Sequence, residues 1–187
     1  MDASDALSAA RGEFRAGLVD VTADDWARRT PCPGWDVRAL VNHVIGGNRR
    51  YVMLLHGASA GEVNATRVVD HLGTDPVGAF ETTADEVEAA FRERGALVAV
   101  VKHPAGDRTG EVLLWMRIVD FAVHAWDLAC AIGARGDLDA DLVWFLSERA
   151  ELADQGRRDG FYGAASSGPL GEPLQNRVLR LFGRSPH

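Results

Sequence analysis

The chain has 187 residues, 47% hydrophobic and 25% charged, enough to bury a core and ordinary for a soluble globular domain. A net charge of -7 without any basic run excludes the electrostatic footprint of a nucleic-acid binder. Two cysteines, Cys32 and Cys130, are too few for a disulfide framework or a cysteine-rich metal site.

The opening residues, MDASDALSAARGEF, are acidic and polar and lack the apolar stretch of a secretory signal, so the cytoplasm is the expected compartment. Leu7, Ala10, Phe14 and Leu18 fall at helical spacing and predict a first helix over 6–18. VTADDWARR predicts a short helix, with Thr22 as N-cap and Asp25 three residues on as a variant capping box. TPCPGW is a turn, because Pro31, Pro33 and Gly34 break any periodicity. Asp36 then caps a long helix over 37–57 with Leu40, Val44, Tyr51 and Leu55 as its core stripe. Residues 59–74, rich in Gly, Ala and Asn, predict a loop. A third long helix over 76–97 has Asp75 as cap and Pro76 at its first position. A short strand pair around HPAGDRTG is an ornament rather than a sheet.

The fourth long helix ends near Gly133, and a fifth is expected over 139–153. Residues 154–187 form a Gly/Pro-rich tail with one short helix at LQNRVLRLF, packed on a bundle spanning 1–153. With almost no strand signal and four long helices, the expected fold is all-α, a four-helix bundle with short additional helices.

The fourth helix raises the functional question. Within the apolar stretch 112–132 the strongly polar residues are Arg117, Asp120, His124 and Asp127. Steps of three and four place them in one narrow line up the helix. The stretch is long enough to span a membrane, but three charges and a histidine near its middle oppose that. A solvated face is the ordinary reading of such a line. Here it is flanked by Trp115, Ile118, Phe121, Val123 and Trp126, and charges among packed side chains need partners, a metal or a cavity.

Asp120 and His124, four apart, can reach one ion. Among the other histidines, His56 and His71 lie at a helix end and in the expected loop, His103 adjoins Pro104, and His187 is terminal. His43 sits mid-helix among apolar neighbours, with Gly47 one turn away leaving room beside the imidazole. Two inward histidines on two helices with a carboxylate between them predict a divalent metal on His43, Asp120 and His124. Three N and O ligands leave a coordination position open, the pattern of a catalytic or substrate-binding site. Asp127 and Arg117 would orient a histidine or pair with a carboxylate. A metal-free ion pair of Arg117 with Asp120 remains the alternative.

TPCPGWDVRALVNHVIG and RIVDFAVHAWDLACAIG, with DHLGTDPVGAF between them and LRLFGRSP in the tail, resemble the DinB/YfiT-like metal-binding bundles. The branch resembled is the one related to mycothiol-dependent maleylpyruvate isomerase. The resemblance implies a four-helix bundle holding one divalent metal, zinc or sometimes nickel. By position its ligands are His43, Asp120 and His124, the trio the spacing selects. The isomerase has a glutamate where Asp120 stands, so the shorter carboxylate must sit closer to the metal. It also has a further carboxy-terminal domain for which residues beyond 152 are too few; the metal fold is therefore implied, the isomerase activity is not.

Two functions follow as expectations. In the first, a metal-dependent enzyme uses a low-molecular-weight thiol such as mycothiol on a small electrophile, by S-transfer or isomerisation. Metal binding would hold the thiol as thiolate, with Arg117 gripping a carboxylate and Trp126, with Trp35, lining the pocket. In the second, a non-catalytic bundle that opens or forms a homodimer on binding serves as sensor or carrier. Cys32 is read as a packed turn cysteine, Cys130 as core. No nucleic-acid or membrane partner is expected.

Overall fold

The computed structural model of the chain describes residues 1–186; His187 lies outside the described residues. Asp2 caps α1 (Ala3–Val19) by accepting hydrogen bonds from the backbone of Ser4 and Asp5. Ala6, Leu7, Ala10, Phe14 and Leu18 form its buried face. Asp36 caps α2 (Val37–Leu55), and Ser59 with Glu62 closes a reciprocal capping box on the short α3 (Ala60–Ala65). A 3-10 turn follows at Thr66–Val68. Asp75 and Pro76 start α4 (Pro76–Arg92), and β1 (Val100–Val101) pairs antiparallel with β2 (Arg108–Thr109).

The central helix is α5 (Gly110–Ile132), buried nearly all round and stopped by Gly133 in the left-handed conformation at φ 75°. The tail carries α6 (Ala140–Ser147), α7 (Ala150–Arg158) and α8 (Leu174–Leu181). The architecture is a four-helix bundle of α1, α2, α4 and α5. α1 packs on α5 and α4, and α2 packs on α4 and α5, so α1 and α2 occupy opposite corners. At the centre, the rings of Phe14, Phe80 and Phe121 from α1, α4 and α5 lie 5.0 to 6.4 Å apart. α8 packs against α6 and α7, and the fully buried Phe182 at its end joins the core beside Trp115. No helix is long and apolar enough to cross a membrane among the described residues.

Four sequence expectations change. The helix expected over 76–97 ends at Arg92, and residues 94–98 form turns. Residues 23–27 form turns, not a helix. The Thr22 backbone and hydroxyl do donate to Asp25, but Arg29 bridges to Asp36 and pulls the chain into an extended return. The expected loop over 59–74 contains α3 and the 3-10 turn. The single helix expected over 139–153 is broken at Glu148 and Arg149 into α6 and α7.

Phe14→Ala is expected to lower the unfolding free energy by about 3–5 kcal/mol, because it empties the meeting point of three helices. Urea denaturation reads this as a lower midpoint at unchanged slope.

Candidate metal centre

The stripe on α5 is an interior line. Arg117 and Asp127 have no exposed surface, His124 is 7% exposed, and Asp120 is half-buried. Across from it, α2 presents His43. The Nε2 atoms of His43 and His124 each lie 3.2 Å from the same oxygen, Asp120 Oδ1. The two imidazoles meet edge to face, 5.2 Å between centroids. His56, by contrast, pairs at the surface with Glu93, and His71 bonds the carbonyl of Thr66.

Each ligand atom is oriented by what holds its other side. Arg117 donates to Asp120 Oδ2, leaving Oδ1 facing the imidazoles. Its guanidinium lies between the rings of Tyr51 and Phe121, 5.2 and 4.3 Å from their centroids. The space beside Gly47 is filled by this guanidinium: a Cβ there would collide with Nη1. Arg117 is thus committed to Asp120 inside the bundle and does not line the cavity, which corrects the expectation that it grips a ligand.

His124 is held through Nδ1, 2.9 Å from Asp127 Oδ2. Arg184, from the tail beyond α8, donates to both oxygens of Asp127 at 2.9 and 2.6 Å. Cys32 Sγ donates to the same Oδ2 at 3.1 Å and accepts from Arg184 at 3.2 Å. Cys32 is therefore part of the centre, half-buried in the cavity wall, whereas Cys130 is exposed at the end of α5 rather than core. The turn at 30–35, closed by Thr30 accepting from Cys32 and donating to the Trp35 carbonyl, lays Trp35 over both imidazoles. Trp126 does not line the cavity; its indole packs against Gly136 on the other side of α5.

Electrostatics separate the two histidines. Burial, then His124 and the nearby guanidiniums of Arg117, Arg50 and Arg67, hold His43 neutral, its pKa well below the ordinary imidazole value. Burial also works against the charged form of His124, but hydrogen bonds to Asp127 and Cys32 outweigh it and leave the pKa raised. Burial would raise Asp127, yet His124 and Arg184 hold it at about 2.

Two sets of ligand atoms, each within 4.8 Å of one another, have the kind and number a divalent cation takes: His43, Asp120 and His124, and Cys32, His124 and Asp127. Both open on a cavity of about 370 Å³ with Tyr51, Leu54, Met116 and Tyr162 among its walls. Sequence reading missed Arg184, although it stands inside the quoted LRLFGRSP.

The sequence profile of the mycothiol maleylpyruvate isomerase N-terminal domain matches residues 7–129. Uncharacterized proteins from Mycobacterium tuberculosis strains CDC 1551 / Oshkosh and ATCC 25618 / H37Rv are each 34% identical over 188 residues, covering 99% of this chain and 99% of the relative. Crystal structures of the mycothiol-dependent maleylpyruvate isomerase and of a histidine-to-alanine mutant superpose with a TM-score of 0.60 at 19% identity. The match covers 83% of this chain and 73% of that one. This likeness establishes the shared fold.

Gly47→Ala is expected to cost about 1–3 kcal/mol, because the added methyl must displace a buried guanidinium. Gly12→Ala on α1, where nothing lies within 4 Å, is the control and should gain about 0.5–1 kcal/mol from helix propensity. Chemical denaturation of the two variants side by side checks the contrast.

Proposed function

The chain belongs to the family of the mycothiol maleylpyruvate isomerase N-terminal domain, and on that premise we propose a metal-dependent thiol function. It holds one divalent cation, zinc or nickel, on His43, Asp120 and His124. Beside that ion it binds a low-molecular-weight thiol, mycothiol foremost, for S-transfer to or isomerisation of a small electrophile.

The observation that carries this reading is the pair of 3.2 Å separations to Asp120 Oδ1. Tetrahedral ligands about 2.0–2.1 Å from zinc lie roughly 3.4 Å from one another, close to both separations, and all three ligand atoms lie within 4.8 Å of one another. Their hydrogen bonding fits as well. Asp127 takes His124 Nδ1–H and leaves the Nε2 lone pair for a cation, Arg117 takes one oxygen of Asp120 and leaves the other, and His43 is neutral. The competing trio of Cys32, His124 Nδ1 and Asp127 already has the Arg184 guanidinium on two of its three members, a cation in place.

A divalent ion bound here supplies a Lewis acid that favours the thiolate of a bound thiol. The chain's own residues position and shelter that sulfur. His43, Asp120 and His124 would hold the ion at the cavity wall, Trp35 covers both imidazoles, and Met116, Val119 and Val123 add apolar lining that sheds water. The cavity volume falls in the range of about 300–1,000 Å³ typical of small-molecule sites.

Elemental analysis of protein purified without chelator is expected to find stoichiometric zinc or nickel, and a His43→Ala/His124→Ala variant none. Asp127→Asn should weaken metal affinity about 10–100-fold while retaining the three ligands. Mycothiol titrated into metal-loaded protein should give a calorimetric signal that metal-free protein lacks. Absence of metal in the wild type overturns the metal assignment, and absence of heat overturns the thiol. Thiol binding with no turnover of any small electrophile leaves a carrier or sensor.

A further inference from the structure

The buried aspartate, glutamate and arginine side chains meet an opposite charge throughout the described residues, with one exception. Asp25 pairs with Arg28, Glu88 with Arg11 and Arg92, Arg117 with Asp120, and Asp127 with Arg184. Arg50, only 8% exposed, pairs with no carboxylate among the described residues. Its one hydrogen bond among them runs from Nη2 to the backbone carbonyl of His43 at 3.1 Å. A guanidinium taken out of water with a single neutral acceptor is costly unless an anion joins it.

The surroundings sharpen the imbalance. Arg67, on the 3-10 turn after α3, lines the same cavity and, among the described residues, bonds only the neutral side-chain oxygen of Asn64, at 3.1 Å. Both guanidiniums line the one cavity, and burial, then the charge of Arg67, pushes the Arg50 pKa down to about 10. Of the remaining charged groups on the cavity wall, Arg184 is claimed by Asp127 and Asp120 by Arg117. A chain of net charge -7 thus places two guanidiniums on one cavity wall with no carboxylate paired to either among the described residues. The same cavity is also lined by the apolar side chains of Leu54, Val63, Met116, Val119 and Val123 and by Tyr51.

We propose that Arg50 and Arg67 form an anion subsite that takes the carboxylate of a small acid with a largely apolar body. Guanidinium groups bind carboxylates through paired N–H donors, and two of them set both the position and the direction of the acid. The subsite rests on the cavity reading above for its place in a reaction, but its binding needs no metal. It moves to Arg50 and Arg67 the carboxylate-gripping role that Arg117 cannot fill.

The test is calorimetric titration of sodium benzoate, with neutral benzamide as its isostere, into the full chain as purified and after removal of metal. Benzoate is expected to bind the metal-free protein about tenfold or more tightly than benzamide. Arg67→Gln, an exposed substitution that leaves the core untouched, and Arg50→Gln should each erase most of that preference, while Arg50→Lys restores part of it. A second arm compares N-acetylcysteine with N-acetylcysteamine. If N-acetylcysteine binds more tightly and loses the advantage in Arg67→Gln, the subsite accepts the acid of a thiol. If benzoate alone is sensitive, it accepts the acid of the electrophile. No benzoate binding in the low-millimolar range, equal binding of acid and amide, or acid binding unchanged by both Gln variants overturns the subsite. Because the metal-free titration decides, a failed metal assignment leaves this result standing, and the reverse.

Discussion

A guanidinium with no exposed surface must have a counter-charge, and the Arg117–Asp120 pair is the constraint from which the centre is built. Left unpaired, a charge at that depth costs several kcal/mol. The pair forces α2 to carry glycine at position 47, where a side chain would occupy the guanidinium's place. It also explains why Tyr51 and Phe121 flank the site, since aromatic faces are among the few apolar surfaces that favour a cation. Above all it fixes which way Asp120 turns. With one oxygen held by Arg117, the other is aimed at the imidazoles of both helices, and the two histidines meet across it.

That arrangement was readable in part because it is local. Asp120 and His124 are one turn apart, Arg117 and Asp127 lie three residues to either side, and the line runs through side chains too apolar to be a solvent face. His43 stood out by elimination, as an imidazole mid-helix among core residues. What periodicity could not supply was the other side of each group. Gly47 was legible as space but not as the seat of Arg117, which lies far along the chain. Trp126 and Trp35 looked equivalent in sequence, yet only the rigid turn at 30–35 delivers an indole to the imidazoles.

Elsewhere the fold diverged from local signals for identifiable reasons. Ser59 and Glu62 form a capping box that is present in the sequence, but its helix is a turn and a half long and the surrounding Gly, Ala and Asn mask it. Thr22 and Asp25 make part of the same pattern without a helix, because the chain must return as an extended bridge at Arg29 and Asp36. The break between α6 and α7 has no Gly or Pro to announce it. The long helices, whose apolar stripes repeat over many turns, were legible as elements, and the divergence there is confined to their ends, as where α4 stops at Arg92.

Arg184 has the longest reach of any residue in the centre. It lies 57 positions from Asp127 and 152 from Cys32, yet it binds both. The hydrogen-bond chain Arg184–Asp127–His124 therefore joins the tail to an imidazole in the middle of the bundle, with Phe182 anchoring the approach in the core. During synthesis on a ribosome the four bundle helices can emerge and collapse well before residue 184 leaves the exit tunnel. Until it does, Asp127 is buried with its guanidinium partner missing, so the nascent bundle passes through a stage in which its helices are present and its centre is unfinished.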